Sequence, residues 1–258
     1  MRNYGQKAYT YIGGFAALAI LIAVIVWSVW LEAHSGTIRF HTEENNVNIY
    51  LLKNNDNIKS TVARNGSAKI SSIDPGHYTV LAHKEDFLPW TKEVDIEKGV
   101  MTKMHPFLIA KNPQYDIVAS SQAEYDRIDA LISENTSAEK TSREGNITLR
   151  KGGGAISAEW VSGSDTLPAY FCNIENVCEN PVEVVSILGN IGDFDFYGSR
   201  EDVVMFAVGQ TIYALEIDSK YPQNFQPMYS GESPRFFLED AHKLYIKDGG
   251  VIIALSLK

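Results

Sequence analysis

"IGDFDFYGSREDVVMFAVGQTIYALEID", from Ile191 to Asp218, reads as an aromatic strand, a charged turn, an apolar strand, a short turn and a second aromatic strand. Apolar and polar residues alternate through it at the period of two that a half-buried strand requires. Phe194, Phe196, Val204, Phe206, Ile212, Tyr213, Leu215 and Ile217 supply its packing faces. It contains no catalytic motif. Its strength is its pattern, and the first question is whether that pattern recurs.

It does, on both sides. "ISAEWVSGSDTLPAYFCNIENVCENPVEVVSI" begins at Ile156 and "SPRFFLEDAHKLYIKDGGVIIALSL" at Ser233. Trp160, Phe196 and Phe237 fall at corresponding places, about 35–41 residues apart. The charged turns are "GSDT", "GSRED" and "EDAHK". A period near 40 with about four strands per repeat suits a propeller blade. The middle repeat resembles the TolB-type and WD-repeat propeller pattern, in which an aromatic strand meets a Ser-Pro-Asp-Gly-like turn. Here Gly198-Ser199-Arg200-Glu201-Asp202 fills that turn, without the Pro and the final Gly.

Residues 146–258 are therefore expected to form an incomplete β-propeller-like domain of about three repeats. A β-sandwich of similar strand content is the alternative. Closed propellers have about 4–8 blades, so three leave an edge that must be covered against aggregation. Two covers are at hand: a helix in the preceding segment, or a second copy of the chain. Residues 111–145 form a linker with that helix over 121–135. Ser121 and Glu124 have capping-box spacing, and Tyr125, Ile128 and Ile132 share one helical face.

Residues 36–110 read as a succession of short strands: "GTIRFHT", "VNIYLLK", "SAKISSI", "HYTVLAHK", "TKEVDIEKG" and "VMTKMHPFLI". Asp74-Pro75-Gly76 is a turn by its chemistry, since Pro sets φ and Gly accepts positive φ. Strands at this spacing suggest a small β-sandwich. "SSIDPGHYTVLAHKEDFLPWTKEVDIEKG" resembles the second half of a PEGA domain through Ile73, Pro75, Gly76, Tyr78, Val80, Phe87, Val94, Ile96 and Gly99. The first half departs from that family, with "TEENNVNIYL" where the naming Pro-Glu-Gly-Ala motif would stand. The resemblance implies a small extracytoplasmic β-sandwich acting as a non-catalytic spacer or surface module.

At the amino end, "YTYIGGFAALAILIAVIVWSVWL" runs from Tyr9 to Leu31 without a charge. A helix rising about 1.5 Å per residue over that length matches the hydrocarbon thickness of a bilayer. Tyr9 and Tyr11 at one end, with Trp27 and Trp30 at the other, have the placement of a membrane-interface belt. The expected fold class is thus mainly β with an N-terminal transmembrane helix over 9–31, preceded by a cytoplasmic tail of residues 1–8. A cleaved signal peptide is the competing reading. It is disfavoured because the apolar run is long and Leu31 is bulky at the candidate cleavage site. Arg2 and Lys7 ahead of the run, against Glu32 and His34 after it, place the N-terminus in the cytoplasm and the rest of the chain outside.

The net charge of -9 excludes a sequence-independent grip on nucleic acid. Cys172 and Cys178 flank "NIENV", and a hairpin there in an oxidising compartment would join them in a disulfide. Two thiols without a nearby His do not make a metal site, and His77, His83 and His105 are scattered along strands. "KGGGAIS" at Lys151 lacks the strand-to-helix setting of a phosphate cradle and reads as a hairpin turn. No nucleophile-elbow or Ser-x-x-Lys motif occurs. Asp193 and Asp195 alternate on one strand near Glu201 and Asp202. Paired carboxylates of this kind serve glycoside hydrolysis, but acidic residues also decorate blade turns for solubility.

No catalytic residue, cofactor or metal is expected from these residues. They point to a membrane-anchored, extracytoplasmic binding or scaffolding protein of a bacterial-type cell envelope. Partners would be a protein or glycan at the cell surface, or further copies of the chain. Tyr221, Phe225 and Tyr229 in "YPQNFQPMYSG" are the candidate contact surface; the bland reading is a loop folded back on its own strand. Two other classes compete: a cell-wall or glycan hydrolase using acidic residues, and a receptor subunit of a larger membrane complex.

Overall fold

The structure is a computed structural model that describes residues 20–24, 27, 34–121, 123–163, 166–173, 175 and 177–257. These residues are mainly β. Among them no helix is long and apolar enough to cross a membrane, which overturns the N-terminal transmembrane helix expected over 9–31 and the signal-anchor reading with it. The finding concerns helices alone. Tyr9, Tyr11, Trp30 and the tail of residues 1–8 lie outside the described residues. Trp27 is described as helical and is 64% exposed, but it belongs to no helix of spanning length.

The chain divides into two units, residues 1–79 with 94–106, and residues 80–93 with 107–258. Seven strands come first: β1 (Gly36–His41), β2 (Val47–Lys53), β3 (Asp56–Ala63), β4 (Ser67–Ile73), β5 (Gly76–His83), β6 (Trp90–Ile96) and β7 (Met101–Met104). They form a three-stranded sheet, β4-β1-β7, and a four-stranded sheet, β3-β2-β5-β6. β1 is antiparallel to β4 and parallel to β7. Alternation places Ile38 and Phe40 of β1 and Val47, Ile49 and Leu51 of β2 out of water, each fully buried. Burial of such a side chain contributes about 1.5–3 kcal/mol. The division between the units falls inside β5 and β6, so the tip of that strand pair, residues 80–93, groups with the second unit.

The second unit continues with β8 (Tyr115–Val118), the helix α1 (Ala123–Glu134), and β9 (Glu139–Thr141), β10 (Ile147–Gly152), β11 (Ala155–Trp160) and β12 (Val182–Ser186). Next come β13 (Ile191–Phe196), β14 (Val203–Val208), β15 (Thr211–Glu216) and β16 (Phe225–Ser230), then β17 (Arg235–Leu238), β18 (Lys243–Asp248) and β19 (Val251–Ser256). They build three open four-stranded antiparallel sheets, β9-β10-β11-β12, β13-β14-β15-β16 and β17-β18-β19-β8. The first strands of the three lie side by side, with β13 between β9 and β17.

The sequence repeats are real but shifted in register. Phe196 and Phe237 sit on the first strands of their sheets, whereas Trp160 ends the third strand of its own. The counterpart of the "GSRED" turn is not "GSDT" but Ser142-Arg143-Glu144-Gly145, between β9 and β10. The tight turns align as Gly153-Gly154, Gly209-Gln210 and Gly249-Gly250. A long excursion between β11 and β12 displaced the first repeat. Among its described residues are a 3-10 turn at Ala169–Phe171 and the paired Cys172 and Cys178, which a disulfide joins.

The edge of β19 is covered neither by the helix nor by a second copy. β8, from ahead of α1, pairs with it through Ile252 to Leu255 and completes the third sheet. α1 covers a face: Ile128 and Ile132 pack with Val118, Tyr245 and Ile252. A second core, holding Leu149, Ile156, Phe171, Phe194, Phe206 and Leu215, joins the first and second sheets of the unit.

Candidate functional site

The three first strands bring charged residues together where a single strand would strand them. A bulge in β13 between Ile191 and Phe194 lets Asp193 and Phe194 both turn out of water. Asp193 is 3% exposed and is fully bound. Arg235 of β17 donates from Nε to Oδ2 at 2.6 Å and from Nη2 to Oδ1 at 2.9 Å, and the Phe236 N–H donates to Oδ2 at 2.8 Å. Charge-assisted fork geometry of this kind is among the stronger pairings available to a protein. The same Arg235 Nη2 donates at 3.0 Å to the Ile132 carbonyl in the last turn of α1, which also accepts a longer bond from the Asn135 N–H at 3.3 Å.

Two residues along β13, Asp195 meets Lys140 of β9, with Oδ2 and Nζ 3.5 Å apart. Lys140 also donates to Asn135 Oδ1 at 2.7 Å, and Asn135 Nδ2 donates to the Phe236 carbonyl at 3.1 Å. Burial raises the Asp195 carboxyl above its ordinary value; Lys140 and the Phe196 N–H pull the other way. Each acid of this cluster thus has its own cation. Both oxygens of Asp193 accept from donors of the protein, and the contacts of the Asp193–Asp195 pair join three sheets and a helix end.

A second buried polar cluster lies in the same unit, where residues 89–93 run against the second sheet. Trp90 Nε1 donates to Glu216, whose Oε2 accepts from Lys92 Nζ at 2.8 Å and from Asn224 Nδ2 at 3.1 Å. Lys92 also donates to the Asp218 carbonyl at 3.0 Å. The side chain of Asn224 mimics a strand neighbour: Oδ1 accepts from the Thr91 N–H at 3.0 Å and Nδ2 donates to the Thr91 carbonyl at 2.8 Å. Gln226 does the same less tightly, accepting from the Ile109 N–H at 3.3 Å and donating to the Pro89 carbonyl at 3.0 Å. The Lys92 and Glu216 side chains are 4% and 6% exposed. Buried charges demand such complete pairing.

The expected contact surface is not a single patch. Phe225 stacks on Tyr213 with centroids 4.5 Å apart and lies parallel to Phe206 at 6.0 Å, while remaining half exposed. Tyr221 is 69% exposed. Tyr229 is tied inward: its hydroxyl donates to Asp248 Oδ2 at 3.1 Å, and burial together with that bond pushes its pKa up to about 12. Cys172 and Cys178 face each other across a hairpin and are joined by a disulfide. His77 pairs with Asp95 at 2.9 Å, and His41 meets His105 edge-on. Among the described residues no three or more His, Cys, Asp or Glu side chains are placed to hold a metal ion. Lys151 of the glycine-rich turn donates to the Gly192 carbonyl at 2.6 Å and lies over the Phe194 ring.

Sequence reasoning found Asp193 and Asp195 but missed Arg235, Lys140, Asn135 and the whole Trp90–Lys92–Glu216–Asn224 cluster. The available signal was a charge in an otherwise apolar frame: Glu216 closing "IYALE", and Arg235 opening "RFFL". No family model matches the chain, and no curated protein matches it.

Proposed function

We propose that the protein is a non-enzymatic binding or scaffolding protein that works outside the cytoplasm. The observation carrying this reading is the saturation of its buried acids. Asp193 is held by Arg235 and the Phe236 N–H, Asp195 faces Lys140, and Glu216 is engaged by Trp90, Lys92 and Asn224. A general acid or nucleophile needs a lone pair or proton directed at substrate. These groups direct theirs at one another, which favours a rigid platform. The disulfide between Cys172 and Cys178 favours an oxidising compartment. The strand layout of residues 36–106 is in keeping with a PEGA-like spacer, and the three sheets with a propeller-like head that presents Tyr221 and Phe225 to a protein or glycan.

The test is turnover. The purified protein and its Asp195→Asn variant are incubated with wall polysaccharide and soluble glycans, and released reducing ends are counted. Neither is expected to release any. Release by the wild type that disappears in Asp195→Asn overturns the reading in favour of a hydrolase.

A further inference from the structure

We propose that Asn65 is a site of self-catalysed succinimide formation, which converts the tip of the β3–β4 hairpin to aspartate and isoaspartate. The chain has two Asx-Gly pairs, Asn65-Gly66 and Asp248-Gly249, and the structure separates them sharply. Both close tight hairpins. Asn65 has φ of 51° and Gly66 has φ of 74°, so both central residues of the turn are left-handed, the geometry that favours Asn-Gly. The Arg64 and Ser67 backbones exchange hydrogen bonds at 3.0 and 3.1 Å across it. Asn65 is exposed, and Gly66 presents no Cβ to hinder approach to its nitrogen.

Asp248 is held differently. Its carboxylate accepts from the Ser233 N–H at 2.9 Å, the Glu232 N–H at 3.1 Å and the Tyr229 hydroxyl at 3.1 Å. Those donors keep it ionised, with its pKa lowered, the Ser233 N–H first among the causes. An ionised, fully bound carboxylate is a poor electrophile, whereas the neutral amide of Asn65 carries a carbonyl carbon open to attack.

The step balances without any oxidant or reductant. Gly66 N loses its proton to hydroxide and attacks Asn65 Cγ. A new C–N bond closes the five-membered ring, the Cγ–Nδ2 bond breaks, and ammonia leaves with a proton from water. Water then opens the ring at either carbonyl, giving aspartate or, with one extra backbone methylene, isoaspartate. Either product adds a negative charge to a two-residue turn. Isoaspartate also lengthens the turn that holds the Arg64–Ser67 bonds and the Gly66 carbonyl that accepts from the Thr42 N–H at 2.9 Å.

The fold contains a brake. The Gly66 N–H that must be lost donates to Asn45 Oδ1 at 3.2 Å. Removing that acceptor frees the nucleophile, and Asn45→Ala should speed conversion about fivefold, the factor that one ordinary hydrogen bond represents.

The intact protein is aged at mildly alkaline pH, digested, and mapped for isoaspartate. Accumulation at residue 65 and not at 248, faster at higher pH, faster still in Asn45→Ala and absent in Asn65→Gln, is expected. A free peptide spanning Ala63 to Lys69 serves as the clock. If the peptide converts fully while residue 65 of the folded protein stays intact in both wild type and Asn45→Ala, the proposal fails. Isoaspartate at 248 alone overturns it equally.

Discussion

Asp193 and Arg235 meet fork to fork, 2.6 and 2.9 Å between their paired atoms, although 42 residues of chain separate them. The aspartate is 3% exposed, and the guanidinium also holds the last turn of α1 through Ile132. Removing the cation leaves a buried carboxylate with one backbone donor. Arg235→Ala is expected to destabilise the protein by about 2–4 kcal/mol, read as a fall in urea midpoint at unchanged slope. Arg235→Lys should recover only part of this, because a point charge cannot serve both carboxylate oxygens and the Ile132 carbonyl together. Full recovery by lysine would show that charge alone matters there.

Lys92 and Glu216 form the most deeply buried ion pair among the described residues, and their test is a double-mutant cycle. Lys92→Met strands the glutamate charge and should lose about 3–5 kcal/mol. Adding Glu216→Gln removes that charge while keeping an oxygen for Trp90 Nε1, at the cost of the acceptor that Oε2 offers to Asn224 Nδ2. The double variant is therefore expected to be more stable than Lys92→Met alone, with a coupling of about 1–3 kcal/mol. Additive losses would mean that the two residues contribute independently.

Much of the β architecture was legible in single-strand patterns, because alternation reports directly which face of a strand is buried. Phe194, Phe206 and Leu215 were assigned to packing faces and lie in the core. What alternation cannot report is which strands become neighbours. β8 has four residues, only one of them buried, so "YDIV" carries no signal until β19 is seen to need a partner. Trp160 was aligned with Phe196 because the long β11–β12 excursion happens to restore a similar spacing. The joint made by Asp193, Arg235, Asp195 and Lys140 draws on three sheets, and Trp90 reaches Glu216 across 126 residues. The apolar run over 9–31 led hydropathy to a spanning helix, and among the described residues there is none.

Acid stability should separate two kinds of aspartate. Burial raises the Asp195 carboxyl above its ordinary 3.8, so the folded state binds that proton more tightly than the unfolded chain does. Its contribution therefore favours folding as pH falls through the raised value and is lost as pH rises. Asp248 is the reverse: the Ser233 N–H, the Glu232 N–H and the Tyr229 hydroxyl lower its pKa. The stability it lends is present above 3.8 and disappears as pH falls through its folded value. In urea midpoints measured from neutral to acid pH, Asp248→Asn should lose stability at neutral pH and become less acid-sensitive. Asp195→Asn should lose little at neutral pH and show a steeper acid decline than wild type. Identical pH profiles for the two variants would contradict this assignment.

The disulfide closes a short loop, with six residues of separation between Cys172 and Cys178. Loop-closure entropy at this length corresponds to about 2 kcal/mol. Paired Cys172→Ser and Cys178→Ser changes should lower the unfolding free energy by that amount, read as a fall in urea midpoint at unchanged slope. The loss is expected to be felt first at Phe171, which is buried in the core shared by the first two sheets of the second unit. Reductant should reproduce the effect in the wild type and leave the double variant unchanged; sensitivity of the double variant to reductant would point to another cause.

Two hairpin-turn glycines give the final prediction, because both have positive φ and they differ in what surrounds them. Gly154 has φ of 86°, and a Cβ there would lie 2.6 Å from the Gly189 carbonyl oxygen and 2.8 Å from that of Ile187. Both obstacles are backbone, and the Ile187 N–H donates to the Gly154 carbonyl at 3.0 Å, so the segment cannot simply step aside. Gly249 has φ of 60° with nothing within 4 Å of the same added atom. Gly249→Ala should therefore lose only the cost of a left-handed L-residue, about 1–2 kcal/mol. Gly154→Ala adds a backbone clash and should lose about 3 kcal/mol or more. Equal midpoints for the two variants in denaturant would show that the β11–β12 excursion yields freely, and that the first sheet of the unit is not pinned at its turn.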